Sequence, residues 1–236
     1  GIYTIAAFIP TVIEAPLVAF EKIAAAKISY AWSTDDRSQI ASIYHQSSLY
    51  LFLMGSWLFL VINLNVDALF TFLPEGYSSG RWVVLIISIG TLFNMATGLN
   101  APILFNSEKY RYGAFFLIVL AVLVLGLQMI MIPRYGLEGA AMATSLASII
   151  YNSMLLVSVW LFYRLQPFDR RNLKVLLVLV ISFSIGWNLP IIHNPFASIA
   201  VNSVLITLLF GAGVYFLKIV PELEHYVIKF LPFLKR

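Results

Sequence analysis

A glutamate set between two prolines is the first residue of this chain with the means to do chemistry. Glu14 sits in the apolar run IAAFIPTVIEAPLVAF, with Pro10 before it and Pro16 after it. An ionisable side chain inside a membrane helix costs about 2.5–3.5 kcal/mol on insertion scales, so it turns toward the bundle interior or an aqueous cavity. Two readings stand side by side. Glu14 faces a substrate or carries a proton, or it lies near the outer third of its helix and reaches water or a backbone donor. A polar stripe follows at Asn94, Thr97 and Gly98, which share one helical face at i, i+3 and i+4, with Asn100 and Asn106 close behind. As a stripe these residues can line a cavity that accepts sugar hydroxyls. Singly, each also suits an interhelical hydrogen bond, worth about 0.6 kcal/mol on average in lipid. Asn100, just before Pro102, predicts a break in its helix. Gln128, Asn152, Asn188 and Asn202 stand alone in other apolar runs and read as structural glue.

Other chemistries lack their residues. The histidines, His45, His193 and His225, fall at separate connections, without metal-ligand spacing. There is no P-loop, no GxGxxG followed by an acidic residue, and no GxSxG. The chain has no cysteine, which removes disulfides, thiolate metal sites and cysteine nucleophiles. Asp35-Asp36 reads as a solvated helix N-cap rather than a metal-bound sugar-phosphate centre. The pattern asks for no metal and no cofactor, and it is not that of an enzyme.

The elements that position these residues are membrane helices. Of the 236 residues 61% are hydrophobic and 11% charged, against about 45–50% and about 25% in a soluble domain. That surplus of apolar surface needs lipid as its solvent. A spanning helix needs about 20 mostly apolar residues. Seven stretches qualify, at about 1–26, 46–66, 82–105, 112–133, 138–163, 173–192 and 197–219. The connections are short and force antiparallel neighbours, so the expected fold is an all-α, polytopic transmembrane bundle. Alternate connections share a side, and one side then holds 13 of the 15 Lys and Arg residues, with only Arg81 and Arg134 on the other. The positive-inside rule makes the first side cytoplasmic. It also explains the net charge of +4 without nucleic acid. The C-terminus is expected inside, and residues 220–236 as an amphipathic helix along the inner interface, with Leu223, Tyr226, Val227, Phe230 and Leu231 at helical spacing. The start at Gly1, already in an apolar stretch, reads as a fragment whose N-terminal part is missing.

The segment PRYGLEGAAMATSLAS carries a packing signal. Pro133 stops one span, Gly136 suits a left-handed turn, and Glu138 opens the next helix. Gly139, Ala143 and Ala147 form one row of small residues, and Ala140, Thr144 and Ser148 another. Such rows let helix backbones approach closely in lipid.

Three stretches together, RYGLEGAAMATSLA, GIYTIAAFIPTVIEAP and NMATGLNAPILFNSEKYR, resemble in order and spacing the C-terminal half of O-antigen and capsule flippases. These form the polysaccharide-transport family of the multidrug/oligosaccharidyl-lipid/polysaccharide exporter superfamily. The resemblance covers about residues 1–165. It implies seven of fourteen helices, with the N-terminal lobe of the same protein as a missing partner. It further implies transport of an undecaprenyl-diphosphate-linked oligosaccharide across the bacterial cytoplasmic membrane, for surface polysaccharide such as the O-antigen of lipopolysaccharide. Glu14, Asn94, Thr97 and Asn100 are then the candidates for cavity or coupling. No Lys or Arg lies mid-membrane in these spans, where the family's cavity often has basic residues. The rival readings are a drug or cation antiporter of the same superfamily, a membrane enzyme acting on lipid-linked sugars, and a structural membrane subunit. The short outer loops, with two basic residues between them, argue against the enzyme.

Overall fold

A computed structural model describes residues 1–188 and 194–220, and among them every regular element is a helix. Helices α1 (Ile2–Phe8) and α2 (Thr11–Ser33) form a pair bent by 45°. The bend falls at Pro10, which has no N–H to continue the ladder. The Val12 N–H turns to the Ile9 carbonyl, and the Thr11 hydroxyl donates to the Phe8 carbonyl at 2.6 Å in its place, the kind of local repair a kink in lipid requires. Pro16 lies inside α2 without ending it, and the helix runs past the expected boundary at 26 to Ser33.

Helix α3 (Arg37–Leu64) begins well before the expected 46 because Asp36 caps it. The Asp36 carboxylate accepts from the Gln39 N–H at 3.0 Å and the Ser38 hydroxyl at 2.7 Å, which holds its carboxyl below the usual range. At 28 residues, α3 is about 42 Å long and overshoots the hydrocarbon layer. It is the central helix, packed against α2, α5, α8 and α9. After α4 (Val66–Phe70) and a 3-10 turn at Tyr77–Gly80 comes α5 (Arg81–Thr97), then α6 (Asn100–Phe105). The chain breaks between α5 and α6 at Gly98, whose φ is +66°. A Cβ there would lie 2.9 Å from the Ser48 nitrogen, so only glycine lets the break nest against α3.

Helix α7 (Tyr110–Tyr163) is nominally 54 residues, about 81 Å if straight. It reverses instead at Gly136, where φ is 56° and ψ is −128°. The Tyr112 and Phe162 rings, from opposite ends, meet at 4.9 Å, so the two arms run antiparallel. The remaining helices are α8 (Arg170–Gly186) and α9 (Pro195–Phe216).

Among the described residues four helices are long and apolar enough to cross a membrane, or five if the bent α1–α2 pair counts as one span. One of the four is the folded-back α7. Its first arm exposes Ile118, Val122, Leu125 and Met129, the last at 77%. A helix apolar on every side and uncovered by protein belongs in lipid, and this chain is a membrane protein whose described residues are all-helical in their regular structure. Helix α8, at 17 residues, spans only about 25 Å by itself and is not among the four. Residues 189–193, in which the sixth expected span ends, and all but Val220 of the expected tail at 220–236 lie outside the described residues.

The basic loops gather at one end. Lys109 lies over the Phe162 ring at 5.9 Å, and His45 Nδ1 is 3.1 Å from the Pro167 carbonyl. At the other end Arg81 pairs with Asp67 at 2.7 Å and stacks over Trp187 at 4.5 Å. The absence of native cysteine makes this easy to test. Single cysteines at Ser38, Lys109 and Gln166 should react with an impermeant maleimide from one side of the membrane, and one at Ser79 from the other. A split among the first three would break this arrangement.

Asp169 caps α8 and ties it to the bundle. Its carboxylate accepts from the Arg171 N–H at 2.7 Å, the Asn172 N–H at 3.3 Å and the Arg171 side chain at 2.8 Å. The Asn172 side chain accepts from the Asp169 N–H, which completes a capping box, and donates to Ser48, whose hydroxyl donates in turn to the Ala96 carbonyl. Partial burial pushes the Asp169 carboxyl up, but the bonds and charge of Arg171 and the Asn172 N–H outweigh it and hold the carboxyl below its usual range. A depressed folded pKa means stabilisation that is present above the unfolded value, about 3.9, and lost as pH falls through the folded one. Asp169→Ala is expected to cost about 1 kcal/mol at pH 7 and to flatten the loss of stability below about pH 4, read as unfolding midpoints against pH.

Candidate functional site

A polar seam runs where α2 and the second arm of α7 flank α5. Helix α5 packs against both. Its contact with the second arm is close because Gly90 has no side chain; a Cβ there would lie 3.0 Å from the Ser145 Cα. On the other flank, Asn94 of α5 donates its Nδ2 to Glu14 Oε1 of α2 at 2.6 Å. Glu14 lies in the first turn of α2, where the helix dipole also favours a carboxylate. A carboxylate accepting a short amide hydrogen bond is a stronger link than a neutral pair.

The four candidate residues therefore divide. Glu14 and Asn94 are brought together and are half-buried. Thr97 is fully buried, and its hydroxyl donates back to the Asn94 carbonyl at 2.8 Å. Asn100 is 1% exposed, donates to the Asn152 carbonyl at 3.3 Å, and accepts from the Ala101 N–H at 2.7 Å. Both tighten the break between α5 and α6 and its seat on α7. Asn106 turns back to the Pro102 carbonyl at 2.8 Å.

Two residues of the seam stand outside the candidates named from sequence. Glu21 lies seven residues after Glu14, two turns along the same face of α2. It is half-buried and makes no hydrogen bond or ion pair among the described residues, yet it is near enough for its charge to act with Glu14 and on the Tyr151 hydroxyl. The i, i+7 spacing of the two glutamates was a usable signal for Glu21. Tyr151 had none, since a tyrosine in an apolar run is ordinary. The seam is pinned at its ends. Tyr3 and Thr144 approach to 3.5 Å at one, and the Trp32 and Tyr163 rings meet at 4.5 Å at the other, where Trp32 also donates to the Ile103 carbonyl at 3.0 Å. Tyr3, Glu14, Glu21, Asn94, Thr144 and Tyr151 are all half-buried, so the seam is open along its length.

Its chemistry follows from this list. Two carboxylates, an amide and hydroxyls can bind hydroxyl groups, protons or a cation. None of these residues is Lys or Arg, so the seam has nothing with which to hold a phosphate. Among the described residues no three His, Cys, Asp or Glu gather as a metal ion would require.

In the small-residue segment, Gly139, Ala143 and Ala147 are buried, and Gly139 abuts the Met131 carbonyl of the facing arm. Gly136 makes the turn expected of it and no packing contact. A Cβ there would meet nothing within 4 Å, and the residue serves the reversal of the chain through its positive φ. No protein-family model, curated protein or solved structure matches this chain.

Proposed function

We propose that this chain is one lobe of a transporter that moves a lipid-linked oligosaccharide across a membrane, with the seam as its part of the path. The carrying observation is the Glu14–Asn94 pair, half-buried at 2.6 Å in a chain whose other helix surfaces are largely apolar. A polar, hydroxyl-binding seam open along its length suits a sugar chain. The basic groups that would neutralise an undecaprenyl diphosphate come, in this reading, from a facing lobe. Seven spans, with the basic end and the C-terminus in the cytoplasm, belong to the same proposal. Rocking of two lobes would expose the seam to each side in turn. No covalent bond is made or broken, and no cofactor is needed.

One observation favours a second reading. Glu21 gives the seam a second carboxylate and thus an affinity for organic cations, which fits a drug or cation antiporter. Vesicles reconstituted with the full-length protein separate the two. Transfer of a fluorescent lipid-linked oligosaccharide between leaflets supports the first reading. Accumulation of a cationic dye without such transfer replaces it with the second.

A further inference from the structure

A second polar site lies at the basic end of the bundle, beyond the Trp32–Tyr163 contact. A cavity of about 530 Å³ there is lined by Trp32, Asp35, Arg37, Asn106, Glu108 and Tyr163, together with serines of neighbouring turns. Its charge is mixed. Arg37 pairs with Asp35 at 3.1 Å, but both are largely exposed and the pair is weak. Glu108 has no ion-pair partner among the described residues. The helices α2, α6 and α7 all end at this cavity, and helix C-termini carry partial negative charge. Of the two helix N-termini here, that of α3 is already capped by Asp36, and that of α7, at Tyr110, lies beside Glu108 and supports its negative charge. With Lys109 turned over the Phe162 ring, the Glu108 carboxylate is left to meet a cation, and the free face of the Arg37 guanidinium to meet an anion.

The hydrogen-bonding groups narrow the cation. The Tyr163 hydroxyl is buried without a partner. Asn106 spends one amide N–H on Pro102, and its Oδ1 remains to accept. With the Glu108 carboxylate these are acceptors that want N–H donors. The Trp32 and Tyr163 rings, tilted 54° to one another, add π faces that attract an ammonium. A primary ammonium satisfies all of these, whereas a trimethylammonium has no N–H to give. Depth points to the source. Tyr30, Tyr110, Tyr112 and Trp160 are exposed at the same end, the belt that marks the headgroup level of a membrane protein.

We infer that this cavity seats the headgroup of an aminophospholipid, its ammonium at Glu108, Trp32 and Tyr163 and its phosphate at Arg37. The inference stands apart from the transport reading, since it needs only that the chain sits in a bilayer.

The test uses delipidated full-length protein in detergent, titrated with phosphatidylethanolamine, phosphatidylcholine or phosphatidylglycerol while the thermal unfolding midpoint is followed. Phosphatidylethanolamine should act at a concentration at least fivefold lower than either of the others. Glu108→Gln should abolish that preference, and Glu75→Gln, an exposed carboxylate at the opposite end, should keep it. Tyr163→Phe removes a single hydroxyl and should weaken the preference, which keeps the test alive if Glu108→Gln does not fold. Free O-phosphoethanolamine should leave the midpoint unchanged; protection equal to that of the lipid would overturn the bilayer as the source. Equal protection by all three lipids, or an undiminished preference in Glu108→Gln, would overturn the site.

Discussion

Glu14→Gln is expected to slow leaflet transfer at least tenfold while expression and melting temperature stay close to the parent. The substitution keeps the shape of the side chain and an oxygen that can accept from Asn94 Nδ2, the bond now 2.6 Å long. What it removes is the charge and the ability to carry a proton. A hydrogen bond to a charged group is worth about 1.5–3 kcal/mol and a neutral one about 1, so the structural loss is on the order of 1 kcal/mol. That loss cannot unfold a bundle of this size, and a tenfold fall in transfer would report the lost charge. Asn94→Leu is the companion. It leaves the Glu14 carboxylate without its donor and should cost both stability and transfer. If Glu14→Gln transports at the parental rate, Glu14 pins α2 to α5 and has no part in the mechanism. Under the antiporter reading Glu21→Gln should be as damaging as Glu14→Gln.

The second large effect belongs to the hairpin. Gly139→Ala should abolish recovery of folded, monodisperse protein, whereas Gly126→Ala should leave it unchanged or better. A Cβ on Gly139 would overlap the carbonyl group of Met131 in the facing arm. The obstacle is backbone, which no rotamer change can move aside, so the arms must part. Overpacking costs about 1–3 kcal/mol where side chains can adjust, and more where they cannot. Gly126 lies in the first arm with nothing within 4 Å of its would-be Cβ. Alanine there gains the ordinary helical preference over glycine, up to about 1 kcal/mol. Normal recovery of Gly139→Ala, measured by size-exclusion profile and thermal midpoint, would show that the hairpin is looser than its geometry implies.

The parts of the structure that sequence made legible are those with a local cause. The reversal at Gly136 follows from Pro-Arg-Tyr-Gly between two apolar runs, and the break before α6 from Asn100 and Pro102. Pro10 likewise bends its span. The same rule failed at Pro16, where α2 continues past the one lost bond, as helices in lipid can when the freed carbonyl is satisfied by neighbouring groups. The start of α3 was hidden because RSQIASIYHQ looks polar; the i, i+4 spacing buries Ile40 and Tyr44 and leaves Arg37, Ser38, Gln39, Ser42 and Gln46 exposed. In the seam, periodicity gave each helix its polar face but not which helix meets it. Asn94 found Glu14 from another element, while Thr97 and Asn100, one and two turns away, found backbone carbonyls. That choice is made by tertiary packing. Glu21 and Tyr151 belong to the seam for the same reason.

The first arm of α7 makes few contacts with the rest of the chain. Its tilt and depth are therefore set by the thickness of the surrounding bilayer more than by any protein partner. A polar substitution at Met129 or Val122 would act when the nascent chain is admitted to the membrane, and denaturation of the finished protein would hardly register it.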